Sequence, residues 1–230
     1  MKNLCIIPAR GGSKRIPGKN IKNFLGKPII GYSIELAINS QLFDEVMVST
    51  DDFKIKELAL KLGAKVPFLR SLKNSDDFAT TFDVIEEVID YYNLKALNFD
   101  KICCIYPCAP LIQKKVFIDC YHLLINNDFA STFPVAEYST PIQRALKFSN
   151  GLLTMIDKSH TNTRSQDFEK AYFDAGQFYW MNAENILTHR SIFSQNSGGI
   201  VIDNLFVQDI DNYNDWRIAE LKYKLLKKNI

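Results

Sequence analysis

The stretch "LCIIPARGGSKRIPGKN", residues 4–20, constrains this chain more than any other. Leu4–Pro8 is a continuous apolar run, the pattern of a central parallel strand covered on both faces. It runs straight into a loop that places Arg10, Lys14, Arg15 and Lys19 beside Gly11 and Gly12. Open α/β sheets bind ligands at the carboxyl edge of their strands, where this turn falls. Glycines let the backbone approach a ligand and turn amide N–H groups inward as an anion nest. The charge suits a triphosphate. The bland alternative is a solvated basic turn; the two glycines and the strand before them favour phosphate. The loop is not a Walker A motif. Five residues separate Gly12 from Gly18 where four are required, and Asn20 stands where Ser or Thr would hold magnesium. Nor is it G-x-G-x-x-G, which disfavours a dinucleotide.

Composition narrows the class. The chain has 230 residues, 47% hydrophobic and 23% charged, which fits one globular α/β domain. The formal net charge is only +2, so the basic loop is a local device and a nucleic-acid partner is not expected. No apolar run approaches the roughly 20 residues of a membrane span, and the N-terminus has no signal-peptide pattern. Cys5, Cys103, Cys104, Cys108 and Cys120 mostly sit in apolar segments and read as reduced core thiols of a cytoplasmic protein. The three histidines are scattered, which argues against zinc.

Further strands are predicted at 46–50, 66–68 and 101–106. Helices are predicted over 29–38, from Asp51 or Asp52 to Leu62, and over 81–92 and 115–125. This alternation implies a doubly wound, mostly parallel sheet. Residues 130–182 change character: strand-like pieces are separated by polar stretches, as in a β-rich insertion or arm. A helix near 183–188, a strand at Leu205–Ile210 and a helix over about 213–228 complete the chain.

Asp209 and Asp211 follow an apolar stretch. In an extended chain, side chains two apart share a face, so both carboxylates would point the same way. Two carboxylates with phosphate oxygens make a normal magnesium (Mg2+) site. Alternatively, Asp211 or Asn212 caps the last helix; Asp215 fits a capping role better than a catalytic one.

"IIPARGGSKRIPGKNIK", "GKPII", "VSTDD" and "DID" resemble the cytidylyltransferases that activate nine-carbon and eight-carbon sugar acids. "GGSKRIPGKN", "IYPCAPL" and "DAGQFYW" are most similar to the branch acting on pseudaminic acid; branches for sialic, legionaminic and, more distantly, Kdo acids are alternatives. The resemblance implies one Rossmann-like nucleotidyltransferase domain over 1–230. It also implies a β-rich dimerisation arm at about 138–170 that reaches a partner subunit in a homodimer. The implied reaction is attack of a sugar's anomeric hydroxyl on the α-phosphate of CTP, with pyrophosphate leaving. A non-catalytic nucleotide-binding relative is the alternative from another class, disfavoured by Lys14 occurring together with Asp209 and Asp211.

With that resemblance, Arg10, Lys14 and Asp211 are the candidate catalytic residues. Arg10, Lys14 and the amides of Gly11, Gly12 and Ser13 would hold the triphosphate, with Lys19 and Asn20 in the same pocket. Arg15 is expected to face solvent, because related enzymes carry glycine there. Asp209 and Asp211 would hold the metal. Arg70 with Thr80 or Thr81 falls where relatives hold the cytidine; otherwise Arg70 pairs with Asp76 or Asp77 and a threonine caps the 81–92 helix. Arg164 matches an arginine that takes the sugar carboxylate across the dimer, its planar guanidinium suiting bidentate contact. Gln143, Arg144 and Gln166 lie nearby in the pattern; Gln143, Gln166 and, separately, Gln177 are further sugar-binding candidates. Tyr106 stands where sialic acid enzymes carry glutamine, and is otherwise a strand-end core aromatic. Phe173, Phe178 and Tyr179 are aromatic candidates for a sugar pocket, of which strand alternation lets only some face a ligand.

Overall fold

The structure, a computed structural model, describes residues 1–228. In chain order it contains β1 (Asn3–Pro8), β2 (Asn23–Phe24), β3 (Lys27–Pro28), α1 (Ile29–Ser40), β4 (Glu45–Ser49), α2 (Phe53–Lys61) and α3 (Thr81–Asn93). There follow β5 (Lys101–Ile105), α4 (Lys114–Asn126), β6 (Ser131–Glu137), β7 (Leu146–Ser149), β8 (Leu152–Met155), β9 (Tyr172–Asp174) and β10 (Phe178–Asn182). The chain ends with α5 (Ala183–His189), β11 (Ser197–Ile202) and α6 (Tyr213–Lys228).

The main sheet has the order β11-β6-β10-β5-β1-β4, with β9 beside β6. β1 is parallel to both neighbours, and β11 is parallel to β6. β10 runs antiparallel between β5 and β6, and β9 antiparallel to β6. The sheet is therefore mostly parallel, as the sequence predicts. β1 buries both faces by alternation: Cys5 and Ile7 join one core cluster, Leu4 and Ile6 the other. The five cysteines are free thiols. Among the described residues, no helix is long and apolar enough to cross a membrane.

Two predicted strands do not form. At 66–68 the chain makes a single bridge, Met47 to Lys65. Lys65 bonds through both its N–H and C=O to β4, but Pro67 has no N–H to continue the ladder. At 205–210 the chain begins as a short 3₁₀ turn, Asn204–Phe206, and then runs extended without a sheet partner. The strand in this region is instead β11. Its two glycines mask it in sequence, yet a side chain at Gly198 would meet the Phe129 ring at 2.7 Å.

The arm segment is a hairpin, β7 with β8, outside the main sheet. It carries large exposed apolar side chains, including Leu146, Phe148, Leu152, Leu153 and Ile156.

Candidate active site

The basic loop leaves β1 at Pro8 and is held from below by two aspartates. Asp51 Oδ1 accepts the Gly11 N–H at 2.8 Å. Asp52 caps α2, accepting from Lys54 N and Ile55 N at 2.7 and 3.1 Å. A side chain on Gly11 would lie 2.7 Å from Asp52 Oδ2, so glycine is required where the loop crosses this cap. The Ser13 N–H bonds back to Gly11 O at 2.9 Å. In this structure the Gly11 amide is taken by Asp51 and the Ser13 amide by Gly11 O. Gly12 has open space around it.

Asn20 is 5% exposed and braces the loop. Its Nδ2 donates to Arg10 O at 2.8 Å, and its Oδ1 faces the Cys108 thiol at 3.2 Å. Lys19 donates to Ile210 O at 2.8 Å, tying the loop to the Asp209–Asp211 segment. Ile16 and Ile210 are both buried in one cluster with Phe24 and Trp216. Burial of Ile210 leaves its two acidic neighbours outside the core; Asp211 lines the cleft described below and Asp209 does not. Asn212 caps α6, accepting from Asn214 N and Asp215 N. Asp215 returns the contact by accepting from Asp211 N and Asn212 N, as in a capping box. Helix capping therefore leaves the Asp211 side chain free for other work.

These contacts create a cleft of about 380 Å³ lined by Pro8, Arg10, Ser13, Lys14, Arg15, Lys19, Asn20, Asp77, Pro107 and Asp211. Pro8 ends β1 and Pro107 lies just beyond the end of β5, so the cleft opens at the carboxyl edge of the parallel strands. Two features were not legible in the sequence. Arg15 is exposed as expected, yet it donates to Asp211 Oδ1 at 2.7 Å. Asp77 accepts Arg10 Nη1 at 2.8 Å and Lys14 Nζ at 2.5 Å. Those hydrogen bonds, Lys14 first and then Arg10, hold Asp77 below the usual carboxylate range. The sequence offers Asp77 only as an alternative partner for Arg70, not as a residue of the cleft.

Asp209 lies next to the cleft. Partial burial of its carboxyl, then the Asp211 charge, push it above the usual range, while Lys19 opposes. A cation would relieve that repulsion, and two carboxylates are hard oxygen donors, so the residues present fit magnesium with phosphate oxygens and water as further ligands. Among the described residues, no cluster of three or more His, Cys, Asp or Glu could hold a metal by itself.

The other predicted residues fall elsewhere. Arg70 is 7% exposed and bonds Ser49 through Nε to Oγ at 2.9 Å and through Nη2 to the carbonyl. Neither Asp76 nor Asp77 is its partner. Thr80 caps α3 in a capping box with Asp83, and the T-x-x-D spacing carried that signal. Thr81 Oγ1 faces the Tyr106 hydroxyl at 3.1 Å. Gln177 is buried, its amide donating to Phe206 O at 2.5 Å. Phe178 packs in the opposite core cluster and does not face this side. In the arm, Arg164 pairs with Asp167 at 2.9 Å, Arg144 donates to Ser165, and Gln143 donates to Glu169 O at 3.3 Å. Gln166 is exposed. Within one chain these arm residues do not line the cleft.

The family model for cytidylyltransferase matches residues 4–223. The chain is 46% identical over 226 residues to the pseudaminic acid cytidylyltransferase of Campylobacter jejuni serotype O:2, covering 98% of this chain and 97% of that one. It is 30% identical to the CMP-N,N'-diacetyllegionaminic acid synthase of Legionella pneumophila, covering 100% and 98%. The solved structure of CMP-2-keto-3-deoxy-manno-octonic acid synthetase complexed with CTP superposes with a TM-score of 0.69 over 99% of this chain and 100% of that one. At 16% identity that likeness concerns the fold alone. Profile, full-length relatives and architecture agree, and the chain belongs to the cytidylyltransferase family.

Proposed function

We propose that this protein transfers CMP from CTP to the anomeric hydroxyl of a nonulosonic acid, pseudaminic acid in preference to its relatives. The observation that carries the reading is the meeting of Arg10, Lys14, Lys19 and Asp211 in one cleft at the strand edge. The full-length similarity to pseudaminic acid cytidylyltransferases supports the sugar.

The anomeric oxygen attacks the α-phosphorus and releases its proton to solvent. The bond from the α-phosphorus to the bridging oxygen breaks, and pyrophosphate leaves with that electron pair. The protein's work is alignment and charge neutralisation. Arg10 and Lys14 bind phosphate oxygens, and Lys19 and Asn20 hold the loop that presents them. Asp209 and Asp211 would hold magnesium, which when bound neutralises triphosphate charge. Arg70, Thr80 and Thr81 are proposed for the cytidine side, with Thr80 acting by placing the start of α3. Tyr106 and Gln177 are assigned to the sugar side. Arg164, Gln166 and Gln143 would reach a sugar acid in a partner's cleft, the exposed apolar hairpin being covered in a cytoplasmic homodimer by arm exchange.

The sugar assignment is tested by kcat/KM for pseudaminic, legionaminic and N-acetylneuraminic acids at saturating CTP and magnesium. Pseudaminic acid ends in a methyl where N-acetylneuraminic acid ends in a hydroxyl, and an aromatic pocket with Tyr106 suits the former. An apolar pocket rejects an added hydroxyl by roughly a hundredfold at most, so a preference of roughly tenfold or more is expected. Equal or better use of N-acetylneuraminic acid overturns the sugar and leaves CMP transfer standing.

Asp77 offers a second test. In this structure it occupies the two cations that the triphosphate needs. Asp77→Asn is expected to lower the KM for CTP by roughly two- to tenfold with little change in kcat, since exposed ion pairs are individually weak. A raised KM would show instead that Asp77 holds Arg10 and Lys14 in their working positions.

A further inference from the structure

Four of the five cysteines are buried, and Cys108 alone is partly exposed. It follows Pro107, which lines the cleft beyond the end of β5. The Cys108 thiol donates to Asn20 Oδ1 at 3.2 Å. The other end of that amide, Nδ2, donates to Arg10 O at 2.8 Å. Asn20 is 5% exposed and also lines the cleft. Cys108 packs against the cluster that contains Ile16 and Ile210, so the core that seats the phosphate loop also seats the thiol. Two hydrogen bonds thus link the end of β5 to the main chain of Arg10.

This link has one arrangement of protons. A carboxamide has a donor end and an acceptor end, and a main-chain carbonyl only accepts. The Asn20 NH₂ must therefore face Arg10 O, and its oxygen must face Cys108. A thiol supplies the one proton needed there. Burial is the largest influence on that thiol; Lys19 opposes it, Asp209 adds to it, and the thiol is pushed up to about 12. Cys108 is thus a protonated donor at neutral pH. Loss of the donor strands a buried carbonyl oxygen. It also removes what tells the two amide ends apart. A reversed amide sets its oxygen against Arg10 O, and the loop must move to separate them.

We infer that Cys108 is a positioning residue for the triphosphate: through Asn20 it holds the main chain at Arg10, and with it the guanidinium that meets the phosphates. Cys108 does this as a hydrogen-bond donor and takes no part in bond making. The inference rests on the assignment of Arg10 to the triphosphate under the proposed function.

The test separates the proton from the volume. Threonine and valine share a shape and differ in the hydroxyl, so C108T keeps a donor and C108V does not. C108S and C108A make the same comparison with smaller side chains. The measurements are kcat/KM for CTP, KM for pseudaminic acid and the melting temperature. C108V is expected to fall below C108T in kcat/KM for CTP by roughly fivefold or more, the cost of an unsatisfied buried oxygen. The sugar KM should be alike in the two, and C108S should lie near the wild type. If packing decides, the order reverses: valine, the more apolar, performs at least as well as threonine, and the proposal is overturned. A sugar KM that rises in parallel with the loss for CTP overturns it too, in favour of a general structural role. In an N20A background, where no amide is left to orient, C108T and C108V should be equal. A difference that persists there places the action of Cys108 elsewhere and overturns the proposal. If C108V does not fold, equal values for C108A and C108S overturn it. If R10A leaves kcat/KM for CTP unmoved, Arg10 does not meet the triphosphate, and this inference falls while CMP transfer stands. A wild type that releases no pyrophosphate from CTP with any nonulosonic acid overturns the proposed function itself.

Discussion

Lys14→Ala is expected to lower kcat/KM for CTP by roughly a hundredfold or more, with an unchanged melting temperature. The side chain is 79% exposed and, among the described residues, pairs only with Asp77, so the fold does not depend on it. Its work would lie in the reaction, where charge shifts onto the departing pyrophosphate. Removing one well-placed donor from such a site costs on the order of 3 kcal/mol in the transition state. The substitution also leaves Asp77 with Arg10 as its one remaining cation partner, which strengthens that contact and withdraws a second donor from the phosphates. Adding Asp77→Asn should then restore part of the activity. The check is steady-state kinetics on purified single and double variants. Near-normal turnover by Lys14→Ala would remove the loop from its role as phosphate cradle.

Asp211→Asn is expected to reduce turnover at limiting magnesium on the order of a hundredfold, with part of the loss recovered at high magnesium. An amide is a poorer ligand than a carboxylate for a hard cation. The structure adds a control, because Asp211 also accepts from Arg15. Arg15→Ala frees the same carboxylate without removing it, so it should lower the magnesium requirement if Arg15 competes with the ion. Chelator should silence the wild type, and added magnesium should restore it. An enzyme indifferent to chelator would take Asp209 and Asp211 out of the site. Because Asn212 and Asp215 cap α6, a loss seen in Asp211→Asn would not be a helix-capping effect.

Much of this architecture is legible where local pattern and tertiary context agree. The apolar run of β1, the helical spacing of α1 and the Thr80-x-x-Asp83 box each specify their element from neighbouring residues. Legibility fails where a distant partner decides. Residues 66–68 have strand composition, but Pro67 stops the ladder after one bridge. Residues 197–202 look like a turn, yet Phe129 leaves room there for glycine alone and β6 supplies a parallel edge. In the site, Lys14 and Asp211 were visible as motifs. Asp77 was not, because its role depends on a loop placing it 63 residues away in sequence from Lys14. Arg70 was visible as a charge, but its burial against Ser49 depends on how the chain returns to the end of β4.

The arm hangs from the end of the β6–β9 ladder. Glu137 pairs with Tyr172, and Tyr138 N–H bonds to Ala171 O at 3.0 Å, so the chain leaves and re-enters the sheet at neighbouring points. What lies between is a closed excursion whose ends are fixed by β6 and β9. Doubling the length of such an excursion costs only about 0.6 kcal/mol of closure entropy. The arm is thus free to drift in length and sequence over evolutionary time while the cleft, built on the ends of β1 and β5, keeps its shape. If the arm meets a second subunit, as proposed, that surface and the nucleotide cleft can change at different rates within one chain.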